Sequence, residues 1–136
     1  MFRCKKQCTA CTYIKEGSTI KQKKSTWKIN KHLNCESRNI VYLIECKKGK
    51  CITKNCWYIW ESKRPLKYRL ADHRGYVLNK TQATGAHFSL TGHSLGDLSV
   101  TIIEQVRQKD TVYRKEREKC HIRKLNTFHS GLNKQL

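Results

Sequence analysis

Acidic residues are scarce in this sequence. Ten Asp and Glu stand against 29 Lys and Arg in 136 residues, which gives a formal net charge of +19. Self-repulsion on this scale destabilises a compact chain unless a partner neutralises it. The excess is spread along the whole sequence. It argues against a merely soluble basic surface and favours binding to a polyanion, that is, nucleic acid, an acidic membrane surface or an acidic protein.

Long apolar runs are also missing. No segment approaches the ~18 apolar residues of a membrane-spanning helix, so we expect no membrane segment. Residues 1–8 lack the apolar run of a secretory signal, which favours an intracellular location, and a nuclear one for a DNA-binding protein. Thiols stay reduced there, so the eight cysteines are expected to bind metal. A mature secreted fragment would instead use them in disulfides.

Apolar residues make up only 38% of the chain, and charged residues 29%. The length suits one domain, or one domain with a small appendage, whose modest core would profit from a cross-link or a metal. Residues 1–38 are rich in Cys and Lys and poor in apolar side chains, and we predict a Cys-rich, basic, loop-dominated segment there. Residues 39–136 are predicted to form the main domain.

Runs of β-branched and aromatic residues predict three strands in the main domain. These segments are 39–45, 56–60 and 98–106. Helical spacing predicts a helix over 65–78 and a second that Asp110 caps and that runs to about Leu125. Residues 46–55 are expected to form a turn and residues 79–97 a polar loop. The order β-β-α-β-α predicts an α+β fold with a small antiparallel three-stranded sheet flanked by helices.

Several side chains suited to phosphate chemistry occur in these elements. Tyr42 and Tyr58 lie in neighbouring predicted strands, and a tyrosine can act as a general base where positive charge lowers its pKa. Arg69 and His73 share one helical face, where a guanidinium can bind phosphate and an imidazole can relay a proton. Glu118 could hold a hydrated Mg²⁺ through one bond. Taken singly, each is better explained by sheet packing or a solvated helix face.

The order of these residues resembles that of the GIY-YIG endonucleases. The residues that match are Tyr42, Tyr58, Pro65-Leu66, Arg69, His73, Glu118 and Asn133. The two namesake tripeptides read Ile40-Val41-Tyr42 and Tyr58-Ile59-Trp60. Residues 117–126 and 131–133 resemble the family's metal-carboxylate helix and closing asparagine. Three longer phrases, 31–35, 39–46 and 87–95, are similar to the nuclease found at the C-terminus of Penelope-like retroelement proteins, and the resemblance covers roughly residues 4–134.

The resemblance implies a DNA endonuclease that uses one Mg²⁺ or Mn²⁺. Such an enzyme would nick target DNA for retroelement integration, with a reverse transcriptase of the same element as its partner. Tyr42 and Tyr58 would shape the site, and one of them would help to activate water. Arg69 would stabilise charge in the transition state, and His73 would hydrogen-bond a tyrosine or relay a proton. Glu118 would bind the ion.

Two further positions follow from the same comparison. Asn133 would support the site. Trp60 stands where the pattern has glycine, and we expect it either to crowd the site and impair activity or to turn outward as an aromatic that faces DNA. The alternative is a catalytically degenerate, zinc-containing module that binds nucleic acid on the same fold.

The resemblance also implies a structural zinc site, with two cysteines between the tyrosine motifs and two later histidines. The histidines are His87 and His93. Both Cys46-x4-Cys51 and Cys51-x4-Cys56 have ligand-like spacing. We favour Cys46 and Cys51, because Cys56 falls in a predicted strand. Free buried thiols and surface histidines are the alternative.

A second zinc site is predicted from spacing in the N-terminal segment. Cys8-x2-Cys11 and His32-x2-Cys35 together make a Cys₃His set, with Cys4 as an alternate ligand. A zinc ion there would fold this polar segment outright.

Overall fold

The computed structural model describes residues 1–4, 8–17, 19–22, 25–29, 32–54, 56–107, 110–127 and 131–133. Its elements, in chain order, are β1 (Thr19–Gln22), β2 (Ser25–Lys28), β3 (Ile40–Cys46), α1 (Gly49–Lys54), β4 (Trp57–Ser62), α2 (Leu66–Asn79), α3 (Gln82–Phe88), β5 (Leu98–Gln105) and α4 (Thr111–Leu125). Short 3₁₀ turns cover Thr9–Tyr13 and Leu95–Asp97.

The main sheet has three antiparallel strands in the order β4-β3-β5. The central strand β3 is almost completely buried, as its run of β-branched and aromatic residues predicts. Its register sets Tyr42 opposite Trp60 of β4 and Ile102 of β5. Helix α4 packs against β4 and β3, and α2 packs against α3. The predicted α+β fold, with a three-stranded antiparallel sheet flanked by helices, is confirmed.

The N-terminal segment lies along the outer edge of β5. Ile14 forms a parallel bridge with Val100, which pairs main-chain groups that an edge strand would otherwise leave open. Met1 is fully buried and belongs to the same core as β3. The described residues between Met1 and Gly17 therefore pack onto the sheet, while the domain boundary before residue 39 stays a prediction.

Three segments predicted as loops or turns contain regular structure. Residues 46–55 contain α1, residues 79–97 contain α3, and the N-terminal segment contains the hairpin β1–β2. Each of these elements has only four to seven residues, too few for a readable periodicity, and depends on tertiary packing. The other predicted strands and helices are present with ends shifted by one or two residues. No helix in the described residues is long and apolar enough to cross a membrane.

Helix α3 approaches α2 very closely at Gly85. A Cβ added at this position would lie 2.3 Å from the carbonyl oxygen of Tyr76, so the contact requires glycine. This approach brings the side chain of Thr84 against His73 of α2, with 2.8 Å between Thr84 Oγ1 and His73 Nδ1. The packing of α3 therefore positions a side chain inside the candidate site.

We predict that Gly85→Ala destabilises the protein by about 1–3 kcal/mol, because a methyl group has no room against main-chain atoms. Gly75→Ala is the matched control. Gly75 lies in α2, where an added Cβ meets nothing within 4 Å, and alanine there should stabilise the helix by up to about 1 kcal/mol. Urea unfolding of both variants measures the difference. Equal stability of the two variants would show that Gly85 is not in close contact with the main chain of Tyr76.

Candidate functional site

A chain of hydrogen bonds connects the sheet to α2 and α3. Tyr42 Oη lies 2.8 Å from His73 Nε2, and His73 Nδ1 lies 2.8 Å from Thr84 Oγ1. All three side chains are fully buried. Because both ring nitrogens of His73 have partners, the imidazole is fixed in position, and Tyr42 is fixed with it.

Burial sets the protonation of this chain. Burial, together with the Arg69 guanidinium, lowers the pKa of His73 to about 3, so the imidazole is neutral. Burial also raises the pKa of Tyr42 and of Tyr58 well above the ordinary value of a phenol, although Arg69 opposes the shift at both residues. Both phenols are therefore protonated at neutral pH in the protein as described. A tyrosine would need further positive charge beside it to act as a base.

Arg69 is held beside the tyrosines with one donor unused. Its Nη1 lies 2.8 Å from Asp72 Oδ2, and its side chain is only 13% exposed. Its guanidinium carbon lies 4.6 Å from the centroid of the Trp60 ring. Within the described residues, Nε of Arg69 is buried without a hydrogen-bond partner. A buried unpaired donor is costly, and an anion such as phosphate would satisfy it.

Glu118 lines an open cleft of about 620 Å³ beside β4. The cleft also includes Tyr58, Trp60, Lys115 and Lys119. Burial, with the nearby Glu61 carboxylate, raises the pKa of Glu118 to about 7. Glu118 and the candidate tyrosine Tyr58 therefore line one cleft at the β4 edge of the sheet.

Glu118 differs from most of the ten carboxylates of the chain in having no ion pair among the described residues. Seven of them form ion pairs with Lys, Arg or His in the described residues. Of the other three, Asp110 caps α4 by accepting a hydrogen bond from the N–H of Val112, and Glu116 is exposed. In the described chain, Glu118 alone is a partly buried carboxylate with no ion pair. The main-chain N–H of Glu61 and the charges of Lys115 and Lys119 favour its ionised form, but burial outweighs them, and a bound cation would favour ionisation further.

Asn133 has a structural task at the edge of the cleft. Its Oδ1 accepts from the N–H of Ile59 at 2.8 Å, and its Nδ2 donates to the carbonyl oxygen of Ile59 at 2.8 Å. Thr127 Oγ1 also donates to Oδ1 at 2.7 Å. Asn133 thus ties the chain after α4 to β4 at Ile59, the residue after Tyr58.

Cys46, Cys51, His87 and His93 converge on one point. Their potential ligand atoms all lie within 4.8 Å of one another. Cys51 Sγ is 3.5 Å from His87 Nε2 and 3.4 Å from His93 Nε2, close to the roughly 3.6 Å expected between S and N ligands of a tetrahedral zinc ion. The donor set therefore suits zinc. The favoured pair Cys46 and Cys51 is the one brought to the histidines.

The second cluster contains four cysteines, with the alternate ligand Cys4 in place of the predicted His32. Cys4, Cys8, Cys11 and Cys35 have ligand atoms within 4.8 Å of one another. The sulfur–sulfur separations run from 3.4 to 3.7 Å, near the roughly 3.8 Å edge of a zinc–tetrathiolate tetrahedron. This cluster can hold a structural metal such as zinc.

The position of the N-terminus explains the change of ligand. The main-chain N–H of Phe2 donates to the carbonyl oxygen of Leu33 at 2.9 Å, which brings Cys4 next to Cys11 and Cys35. The side chain of His32 is exposed and outside the cluster. Spacing alone favoured His32-x2-Cys35, because it could not show that residues 1–4 return to residue 33.

Sequence reasoning missed two residues of the site. Thr84 lies in α3, which was expected to be loop, so no helical face pointed to it. Tyr76 stacks beside Trp60 with an interplanar angle of 18° and contacts His73 edge-on. Its position three residues after His73 on a helix was a usable signal, because residues at that spacing share a face.

The site has to be interpreted from its own chemistry. Comparison of the chain with protein-family models, with curated proteins and with solved structures found no match. The described residues offer two buried phenols, a guanidinium with an unused donor, an unpaired carboxylate and an open cleft lined by lysines. They also offer two clusters of metal-binding side chains.

We predict that the neutral state of His73 makes the fold sensitive to acid. Its pKa in the fold lies below the ordinary value of 6.5, so the unfolded chain binds the proton more readily. Stability is then lost as the pH falls below 6.5, by about 2 kcal/mol at pH 5. Urea unfolding at pH 7 and pH 5 measures this. His73→Gln should lose less over the same interval, and an equal loss would contradict the assignment.

Metal content tests the two clusters. We expect two zinc ions per chain, one in each cluster, and one ion after Cys35→Ser or Cys51→Ser. Elemental analysis of protein purified under reducing conditions measures this. His32→Ala is the control and should keep both ions. Loss of an ion in His32→Ala, with none lost in Cys4→Ser, would restore the Cys₃His set.

Proposed function

We propose that this protein is a metal-dependent endonuclease that hydrolyses a phosphodiester bond of DNA, on the plan of the GIY-YIG nucleases. The observation that carries the proposal is the unpaired, partly buried carboxylate of Glu118 in the cleft that Tyr58 lines. Glu118 and Tyr58 lie on different elements far apart in the chain, and their shared cleft supports the proposal.

Glu118 suits a divalent cation. Its carboxylate has a raised pKa and no ion pair among the described residues, so a cation beside it would remove a cost of folding. The cleft is open enough for an ion that keeps most of its water. When bound, Mg²⁺ or Mn²⁺ would supply positive charge to the phosphate and lower the pKa of water.

Arg69 and Tyr58 would act on the phosphate and on the attacking water. The free Nε–H of Arg69 can donate to a phosphoryl oxygen, and its charge is retained at any working pH. With His73 Nδ1–H donated to Thr84, His73 Nε2 accepts a hydrogen bond from the Tyr42 hydroxyl. Tyr42 is fully buried and would support the site, while the attacking water would contact Tyr58, which lines the cleft. Tyr58 would line the other side of the reacting group.

The charge of the cleft supports a nucleic-acid substrate. Lys115 and Lys119 flank Glu118 on α4 and line the same cleft, where they can contact phosphates on either side of the scissile bond. The net charge of +19 supplies the non-specific part of binding. By resemblance, we propose that the nick primes a reverse transcriptase of the same retroelement, in the nucleus. The two zinc sites would stabilise the fold and take no part in the reaction.

One observation favours the alternative, a zinc-containing module that binds nucleic acid without cutting it. Burial raises the pKa of both tyrosines, so neither phenol is an effective base without a cation nearby. In this alternative the lysines of the cleft still bind phosphate, and Glu118 has no catalytic task.

We predict that the protein converts supercoiled plasmid to the nicked circle in the presence of Mg²⁺ or Mn²⁺. Glu118→Gln should lower the rate by about a hundredfold or more, because the carboxamide keeps the shape but not the charge that holds the ion. Glu116→Gln is the matched control. It lies on the same helix, removes the same charge and is exposed, so its rate should match that of the parent.

Binding separates the two candidate functions. Fluorescence anisotropy with a labelled duplex should give similar affinities for the parent and for both variants. Nicking by Glu118→Gln at the parent's rate would show that Glu118 is not the metal ligand. A parent that binds DNA tightly but never nicks it with either ion would establish the non-catalytic module.

A further inference from the structure

The indole of Trp60 lies inside the candidate site. Its ring centroid is 5.2 Å from that of Tyr58 and 5.6 Å from that of His73, both edge-on. The guanidinium carbon of Arg69 lies 4.6 Å from the same ring. A residue expected to crowd the site or to turn outward thus contacts three of the side chains assigned to the reaction.

We propose that Trp60 is a positioning residue that holds the guanidinium of Arg69 for the scissile phosphate. This inference rests on the proposed nuclease function and adds a residue that departs from the family's glycine. Trp60 acts through Arg69 and makes no contact with the reacting atoms.

The polar contacts of Arg69 lie in the plane of its guanidinium. Asp72 binds one terminal nitrogen, Nη1, and shares its Oδ2 with Arg64. The phenols of Tyr42 and Tyr76 also hydrogen-bond the guanidinium. The face of an indole attracts a cation more strongly than any other side-chain ring. Trp60 therefore adds the contact that fixes the plane of the guanidinium, whose Nε has no hydrogen-bond partner among the described residues.

The indole is itself held in place. Tyr76 of α2 lies nearly parallel to it, with a centroid distance of 6.4 Å, and the His73 imidazole meets it edge-on. Tyr42 is its partner across the β3–β4 ladder. A rigid aromatic group of this kind keeps its geometry when substrate binds. Glycine at position 60 would remove the aromatic face beside Arg69 and leave only its polar contacts.

The competing interpretation is obstruction, in which the indole fills space that the substrate needs. The two interpretations predict opposite effects of the family's residue. If Trp60 positions Arg69, then Trp60→Gly lowers kcat. If Trp60 obstructs the site, then Trp60→Gly raises kcat or lowers KM.

Single-turnover and steady-state nicking of a defined duplex with Mn²⁺ decides between them. The parent, Trp60→Phe, Trp60→Leu and Trp60→Gly are compared. We expect Trp60→Phe to lose about threefold in kcat, and Trp60→Leu and Trp60→Gly to lose about tenfold or more, with KM within about twofold. Phenylalanine keeps an aromatic face, whereas leucine keeps only apolar bulk.

Two outcomes would overturn the proposal. The first is a Gly variant at least as active as the parent, which establishes obstruction. The second is equal kcat for Leu and Phe, which reduces Trp60 to ordinary packing. Thermal unfolding checks that each variant is folded at the assay temperature, and Trp60→Met replaces Trp60→Leu if the latter is not.

Nuclear magnetic resonance tests the contact apart from activity. The Nε–H resonance of Arg69, assigned by its loss in Arg69→Lys, should be shifted upfield by the indole ring current. The shift should shrink in Trp60→Phe and vanish in Trp60→Leu. A parent without nicking activity overturns the nuclease function and Trp60's part in it, whatever the shift. A nicking parent with no shift overturns the positioning role alone.

Discussion

Three elements of the protein meet at an imidazole that never touches solvent. His73 of α2 hydrogen-bonds Tyr42 of β3 on one side and Thr84 of α3 on the other. Burial keeps the ring neutral, so each nitrogen has one fixed role, as donor or as acceptor, and each is matched by a hydroxyl. Without both partners, the unpaired ring nitrogens of a fully buried imidazole would raise the free energy of the folded state by more than its packing lowers it. The positions of α2 and α3 relative to the sheet are therefore set by polar contacts as well as by apolar ones.

The excess of positive charge determines the surroundings of most carboxylates in this chain. With 29 basic side chains and ten acidic ones, almost every carboxylate lies close to a cation. Glu61 binds Arg114 in a largely buried pair, and Glu104 binds both Arg117 and His121. Glu118 has no ion pair among the described residues. Burial and the negative charge of Glu61 oppose its ionisation, while Lys115 and Lys119 favour it. This makes its place in the cleft informative even without a relative for comparison.

Much of the fold could be predicted from sequence, because β3, β5, α2 and α4 are long enough to show a period and α4 carries a readable cap in Asp110. Helix α3 could not be predicted. It has seven residues with a glycine in the middle, and it exists because Gly85 fits against Tyr76. With α3 went Thr84. The ligand pairs Cys8-x2-Cys11 and His87-x5-His93 were visible as spacings, whereas the choice of Cys4 over His32 depends on a return of the N-terminus that no local pattern encodes. Residue order could suggest that Tyr42, Arg69 and Glu118 belong to one site. Which of their polar atoms form hydrogen bonds depends on packing, which residue order does not encode.

Within the four consecutive residues 84–87 of α3, three residues each meet a different structural requirement. Thr84 must reach the imidazole, Gly85 must admit the main chain of α2, and His87 must face Cys51. On an α-helix, one inserted or deleted residue turns everything beyond it by about 100°. A change of length between Thr84 and His87 would therefore misdirect either the hydroxyl or the metal ligand. Of these four positions only Ala86 is exposed and open to substitution, and the register of the helix cannot shift.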